Sequence, residues 1–142
     1  ESDNHTVSLT VTDSKNNTAT ASKIIKIEDK INPTIKFEKP IKALYIKNRF
    51  IRKLFFRMTL IIGSITIEVN VTDVNGSGIS RVDFYAGLKG DQYLGDDTTA
   101  PYSFNWTKDR LLKFVHIQTI KAIAYDKAGN SASCTMRVRK YL

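Results

Sequence analysis

At 142 residues the chain has room for one sandwich-sized domain of ~100 residues and something more. Its 42% hydrophobic content is ordinary, which allows a buried core and argues against global disorder. The single cysteine rules out an internal disulfide, and no apolar run reaches the ~20 residues of a membrane helix, the longest (54–62) being broken by Arg57.

Residues 1–5 are polar and lack the apolar centre of a signal peptide, so the opening reads as a cut through a longer protein. Val7, Leu9 and Val11 then alternate with Ser8, Thr10 and Thr12, the period of a half-buried strand. A polar turn and a returning strand complete a hairpin. Leu9-Thr-Val-Thr-Asp13-Ser-Lys-Asn-Asn17-Thr-Ala-Thr-Ala21 recurs 113 residues later as Ala122-Ile-Ala-Tyr-Asp126-Lys-Ala-Gly-Asn130-Ser-Ala-Ser-Cys134. That spacing is one sandwich domain plus a short linker, too long for a solenoid repeat. A lone hairpin is marginal in water, so residues 1–28 are expected to be the last two strands of a truncated domain. Residues 29–32 form a linker, and Asn32-Pro33 restarts the pattern.

From there strands are predicted at 34–38, 44–46, 65–72, 80–86, 102–106, 117–125 and 131–139, with shorter pieces in 51–62 and 92–95. Helical periodicity is confined to a weak pattern at 108–114. Ile65, Ile67, Val69 and Val71 share one face, as do Val82 and Phe84, and as do Tyr102, Phe104 and Trp106. About seven short strands separated by turn signals predict an all-β fold, an Ig-like Greek-key β-sandwich over 33–142. Most of the net charge of +8 lies in Lys36, Lys39, Lys42, Lys47, Arg49, Arg52, Lys53 and Arg57, with Glu38 the only acid among them. These are read first as a sheet edge protected against strand addition, and second as a patch for an anionic partner.

Three motifs in order carry a family likeness: Asp73-Val-Asn-Gly-Ser-Gly-Ile-Ser-Arg-Val82-Asp-Phe-Tyr85, Thr99-Ala-Pro101-Tyr-Ser-Phe-Asn-Trp106, and Ile120-Lys-Ala-Ile-Ala-Tyr-Asp126-Lys-Ala-Gly-Asn130. Over 33–142 the chain resembles the bacterial Ig-like domains of prokaryotic surface proteins. Its opening, His5-Thr-Val-Ser-Leu-Thr-Val-Thr-Asp13, resembles the end of a polycystic-kidney-disease-type (PKD) domain. Two features depart from the family pattern: the long basic insertion 43–63 in a connection that is usually short, and Gln118 where His is frequent. The resemblance implies a spacer, an adhesion module or an accessory domain of a secreted enzyme.

Catalysis finds no assembled candidate. His5 and His116 fall in different repeats, and Cys134 alternates inward with Ala132 and Met136 as a small core residue. Phosphate loops, a nucleophile elbow and zinc-ligand spacings are lacking, and the pair Asp96-Asp97 is read as turn chemistry. Asp73-x-Asn75-x-Ser77-Gly78 reproduces the opening spacing of an EF-hand loop, which makes Asp73, Asn75 and Ser77 candidate calcium ligands. The pattern then breaks, because its twelfth position is Phe84; a plain polar turn is the alternative. Five sequons occur, and Asn70 and Asn105 project opposite the apolar alternation as glycosylation candidates. An archaeal source would fit such glycosylation. Arg49-Phe-Ile-Arg-Lys-Leu-Phe-Phe-Arg57 mixes cations with aromatics, but in a sandwich it reads as core aromatics flanked by exposed cations, not as a nucleic-acid site.

The expected function is therefore a non-catalytic structural or interaction module of an extracellular or cell-surface protein. It needs no cofactor besides the candidate calcium, and its partners are neighbouring domains of the same protein and, at the surface, glycans or other surface proteins. The alternative is a carbohydrate-binding accessory module of a secreted hydrolase. Such a module needs an exposed aromatic platform, for which Tyr45, Phe50, Phe55 and Tyr93 are the candidates.

Overall fold

A computed structural model describes residues 3–54, 58–107 and 116–141. Phe55, Arg57 and the segment 108–114 lie outside the described residues. Strands β1 (Asp3–Thr12) and β2 (Thr18–Ile27) pair antiparallel in a sheet of their own. Leu9 stands opposite Ala21 and Val11 opposite Ala19, which places the apolar side chains on one face. Hydroxyl pairs, Ser8–Ser22 at 3.1 Å and Thr10–Thr20 at 3.0 Å, line the other. Every residue from Asn4 to Glu28 is exposed, including Val7, Leu9, Val11, Ile25 and Ile27 of the apolar face.

The remaining strands form two sheets. In the smaller, β7 (Ile65–Thr72) lies between β3 (Thr34–Lys39) and β10 (Ser103–Trp106), all antiparallel. The larger uses β4 (Ala43–Ile46), β5 (Arg49–Lys53), β6 (Thr59–Ile62), β8 (Ile79–Ala86), β9 (Gln92–Asp97), β11 (His116–Asp126) and β12 (Ser131–Tyr141). Their order across the sheet is β5-β4-β6-β12-β11-β8-β9. The seven predicted strands are present as β3, β4, β7, β8 and β10–β12, and the shorter piece at 92–95 as β9, so that β3 and β7–β12 make up the sandwich outside the insertion. The other three come from the basic insertion, which is not a loop beside the sandwich but an extension of its larger sheet.

That extension begins with β6, which runs parallel to β12 on one side and to β4 on the other. The stretch 51–62, read from sequence as one piece, holds the end of β5 and the whole of β6. β5 is the edge strand, and all five of its residues are exposed, with Arg49, Arg52 and Lys53 among them. A row of cations on an unpaired edge discourages further strand addition. This placement matches the edge reading of the basic stretch.

Alternation along the strands fills the space between the sheets. Ile65, Ile67 and Val69 of β7 and Trp106 of β10 meet Val82 and Phe84 of β8, Ile120, Ala122 and Ala124 of β11, and Val138 of β12. Ala43, Tyr45 and Ile61 of the added strands join this core, so the insertion is packed as well as hydrogen-bonded. Phe104 stacks on Phe84 across the sandwich, with ring centres 5.9 Å apart. The tight spot is Gly95 on β9, opposite Phe84, where an added Cβ would sit 2.5 Å from Cε2 of Phe104.

Candidate functional site

Three turns meet at the end of the sandwich nearest the hairpin. Asp73 follows β7 and starts the turn to β8, Asp126 ends β11, and Asp29 lies in the linker between β2 and β3. Each offers a carboxylate oxygen, and the three oxygens lie within 4.8 Å of one another. Asp126 is only 3% exposed, and its two oxygens accept from Asn130 N and Nδ2, both at 2.8 Å. Asp29 accepts from Ile31 N at 2.8 Å and Ser77 N at 2.6 Å, and these amides hold its carboxyl below the ordinary range. Asn130 Nδ2 also donates to the Asp29 carbonyl at 3.1 Å, which ties the linker to the β11–β12 turn.

Asp73 is held differently. Its Oδ2 accepts from Gly78 N at 2.7 Å, while Oδ1 is fully buried and accepts no hydrogen bond. Gly76 sits directly over this carboxylate, where a Cβ would collide with it. Ser77 locks the assembly by accepting from Ala128 N at 3.0 Å. Lys127 N donates to the Gly78 carbonyl at 2.9 Å, so the two turns are also joined through backbone.

Of the three residues read as calcium ligands, Asp73 lies in the cluster and Ser77 binds two of its turns together. Asn75 is exposed with a φ of 62°, where its tolerance of the left-handed region shapes the turn. Asp29 and Asp126 were missed as ligand candidates because their 97-residue separation forms no local pattern. One signal was available: Asp126-x-x-x-Asn130 repeats Asp13-x-x-x-Asn17, and both turns use the same bonds. Asn17 N and Nδ2 donate to Asp13 at 2.9 and 2.8 Å.

The other candidates separate clearly. Asn70 and Asn105 lie on the outer face of the smaller sheet. Asn105 is exposed on edge strand β10, whereas Asn70 Nδ2 donates to Glu38 Oε1 at 3.1 Å. Tyr45 corrects the list of exposed aromatics: it is 3% exposed, and its hydroxyl accepts from Ile41 N at 3.1 Å. Phe50 and Tyr93 are exposed, but they lie on β5 and β9, the two edges of a seven-stranded sheet. Six strand spacings of about 4.8 Å put them roughly 29 Å apart, too far for one flat platform. Tyr93 instead donates its hydroxyl to Asp96 at 2.7 Å. Asp97 accepts from Thr99 N and Ser103 N at 3.0 and 2.9 Å and so shapes the turn to β10, whereas Asp96 lies within the β9 ladder opposite Asp83. Burial pushes the Cys134 thiol up to about 11, which keeps it protonated at neutral pH. Among the described residues, no helix is long and apolar enough to cross a membrane.

Two sheets packed through alternating side chains, with an A-type strand on one and a terminal hairpin on the other, define an Ig-like β-sandwich. Residues 59–131 match the family described as Bacterial Ig domain, and the chain belongs to that family. The fold is similar to that of the fibronectin(III)-like modules of CbhA from Clostridium thermocellum, with a TM-score of 0.55 and 20% identity. That similarity covers 95% of this chain and 60% of the other, so the present chain spans less than two thirds of the length of the chain it matches. An engineered protein is also similar over 78% of this chain and 20% of its own, at 15% identity and a TM-score of 0.47. A search of curated proteins finds no match. Ig-like and fibronectin III-like domains are typically non-catalytic, and bacterial Ig-like domains commonly occur in surface proteins.

Proposed function

We propose that the chain is a stretch of a tandem array, a non-catalytic spacer in a multidomain extracytoplasmic surface protein, with β1–β2 the terminal hairpin of a preceding sandwich. One observation supports this above all: the two hairpins share a register. Leu9↔Ala21, Val11↔Ala19 and Val7↔Lys23 correspond to Ala122↔Cys134, Ala124↔Ala132 and Ile120↔Met136. In β11–β12 that face packs into the core, whereas in β1–β2 it is bare. The apolar face of β1–β2 is therefore suited to the second sheet of its own domain, and its polar face to solvent.

The test is removal. Residues 29–142 are expected to unfold cooperatively in denaturant, with stability within about 1 kcal/mol of the full chain, because β1–β2 pairs with no strand of the sandwich. Aggregation or loss of the cooperative transition in the shortened chain would show instead that the hairpin belongs to this domain. Amide exchange in the full chain is expected to be fast across β1–β2 and slow in β7 and β11.

A further inference from the structure

We propose that the outer face of the larger sheet, where β5, β4, β6 and β12 lie side by side, docks on an anionic lipid surface. The face is built in registered rows. Arg52, Leu44, Leu60 and Arg139 stand opposite one another in turn across the four strands. Arg49, Ile46, Ile62 and Tyr141 form the next row, two residues along the strands and so about 7 Å away. Three strand spacings of about 4.8 Å separate the arginines of β5 from those of β12 by roughly 14 Å. The result is an apolar stripe with arginines on both sides.

Two observations set this face apart from an ordinary solvated one. The first is its pattern. A sheet face turned to water carries polar side chains opposite the apolar ones, as β12 does with Met136 and Val138 inward and Arg137 and Arg139 outward. Strands β4 and β6 break that rule: Tyr45 and Ile61 point inward, while Leu44, Ile46, Leu60 and Ile62 point outward. Ile46 and Ile62 are each 37% exposed. Strands apolar on both faces call for cover on both.

The second observation is charge. Strands β4, β5, β6 and β12 contain no Asp or Glu. Among the described residues, no ion pair ends on Arg49, Arg52, Arg137 or Arg139. The far half of the same sheet behaves differently, for Arg81 pairs with Asp83 at 2.9 Å and lies 4.3 Å from the centre of the Tyr125 ring.

Pattern and charge together select the occupant. Guanidinium groups pair with phosphate oxygens in a planar fork. A soluble polyanion would engage the arginines and leave the apolar stripe wet. A second copy would set arginine against arginine between chains that each carry +8. An anionic bilayer surface satisfies both halves of the face, with phosphates for the arginines and the glycerol and upper acyl region for Leu44, Ile46, Leu60 and Ile62. The docking stands on the sandwich alone and does not depend on the tandem reading.

The experiment is flotation of the full chain with two kinds of vesicle, phosphatidylcholine alone and phosphatidylcholine mixed equally with phosphatidylglycerol. Binding to the anionic vesicles is expected, with little to the neutral ones and release at high salt. Arg52→Gln with Arg139→Gln should weaken it about tenfold or more. The charge-matched pair Lys15→Gln with Lys89→Gln, on remote exposed turns, should weaken it far less. Ile46→Thr with Ile62→Thr should weaken vesicle binding but leave any binding to soluble polyphosphate unchanged. In the unaltered chain, a short-chain phosphatidylglycerol should shift the amide signals of 44–46, 60–62 and 137–139 more than those of 81–85. Absence of binding to anionic vesicles, equal losses in the two charge-matched pairs, or shifts centred on 81–85 overturn the proposal. Vesicle binding that ignores the threonine pair and is fully competed by polyphosphate assigns the face to a soluble polyanion instead. A dimer in sedimentation that the threonine pair dissolves assigns it to a second copy. Residues 29–142 should bind as the full chain does, whatever becomes of the tandem reading.

Discussion

Trp106→Ala lowers the stability of the sandwich by about 3–5 kcal/mol, the range for truncating a fully buried aromatic. Trp106 is 2% exposed and ends β10 opposite Ile65, where the smaller sheet closes over the larger. Its ring also lies 4.8 Å from Nζ of Lys140, a buried lysine on β12. Truncation therefore leaves a cavity and also removes an aromatic face from a desolvated cation. Denaturant unfolding followed by far-ultraviolet circular dichroism measures the change. A midpoint like that of the unaltered chain would mean that Trp106 does not lie between the sheets.

Gly95→Val is the second large effect, expected to cost about 1–3 kcal/mol through overpacking. A side chain at this position meets the Phe104 ring, which is itself stacked on Phe84, so the ring must shift off that stacking to make room. The paired change Gly95→Val with Phe104→Ala should recover part of the loss, because the smaller residue vacates the space the valine needs. Thermal melts of the single and double variants measure the coupling directly. Strictly additive losses would contradict the contact.

The sandwich was legible because its information is local and periodic. Ile65, Ile67 and Val69 announce their face within one strand, and the Asp126–Asn130 turn announces a hairpin within five residues. The insertion was less legible. Its cations suggested an edge, which β5 is, but nothing local in Thr59–Ile62 indicates a strand parallel to β12, almost eighty residues away. The acidic site was one third legible. Asp73 stands in a recognisable ligand spacing, whereas Asp29 and Asp126 reach it only through the packing of linker and turn, and spacing within one segment cannot encode that. Tyr45 was misjudged as exposed because a basic neighbourhood conceals an alternation of Ala43 and Tyr45 inward with Leu44 and Ile46 outward.

The parallel pairing of β6 with β12 has a mechanical meaning for the proposed spacer role. A pull applied between the linker and Tyr141 draws β12 along its own length. That strand is clamped on both flanks, by β6 from Val138 to Tyr141 and by β11 from Ser131 to Lys140. Its backbone bonds are then loaded side by side in shear instead of opening singly as in an unzipping hairpin, and the ladder to β6 guards the exit end. In single-molecule stretching the domain should rupture in one high-force step, and a proline at Leu60 or Ile62, which weakens the β6 ladder, should lower that force. The insertion that lengthens the sheet is, on this reading, the clasp that lets the domain bear tension.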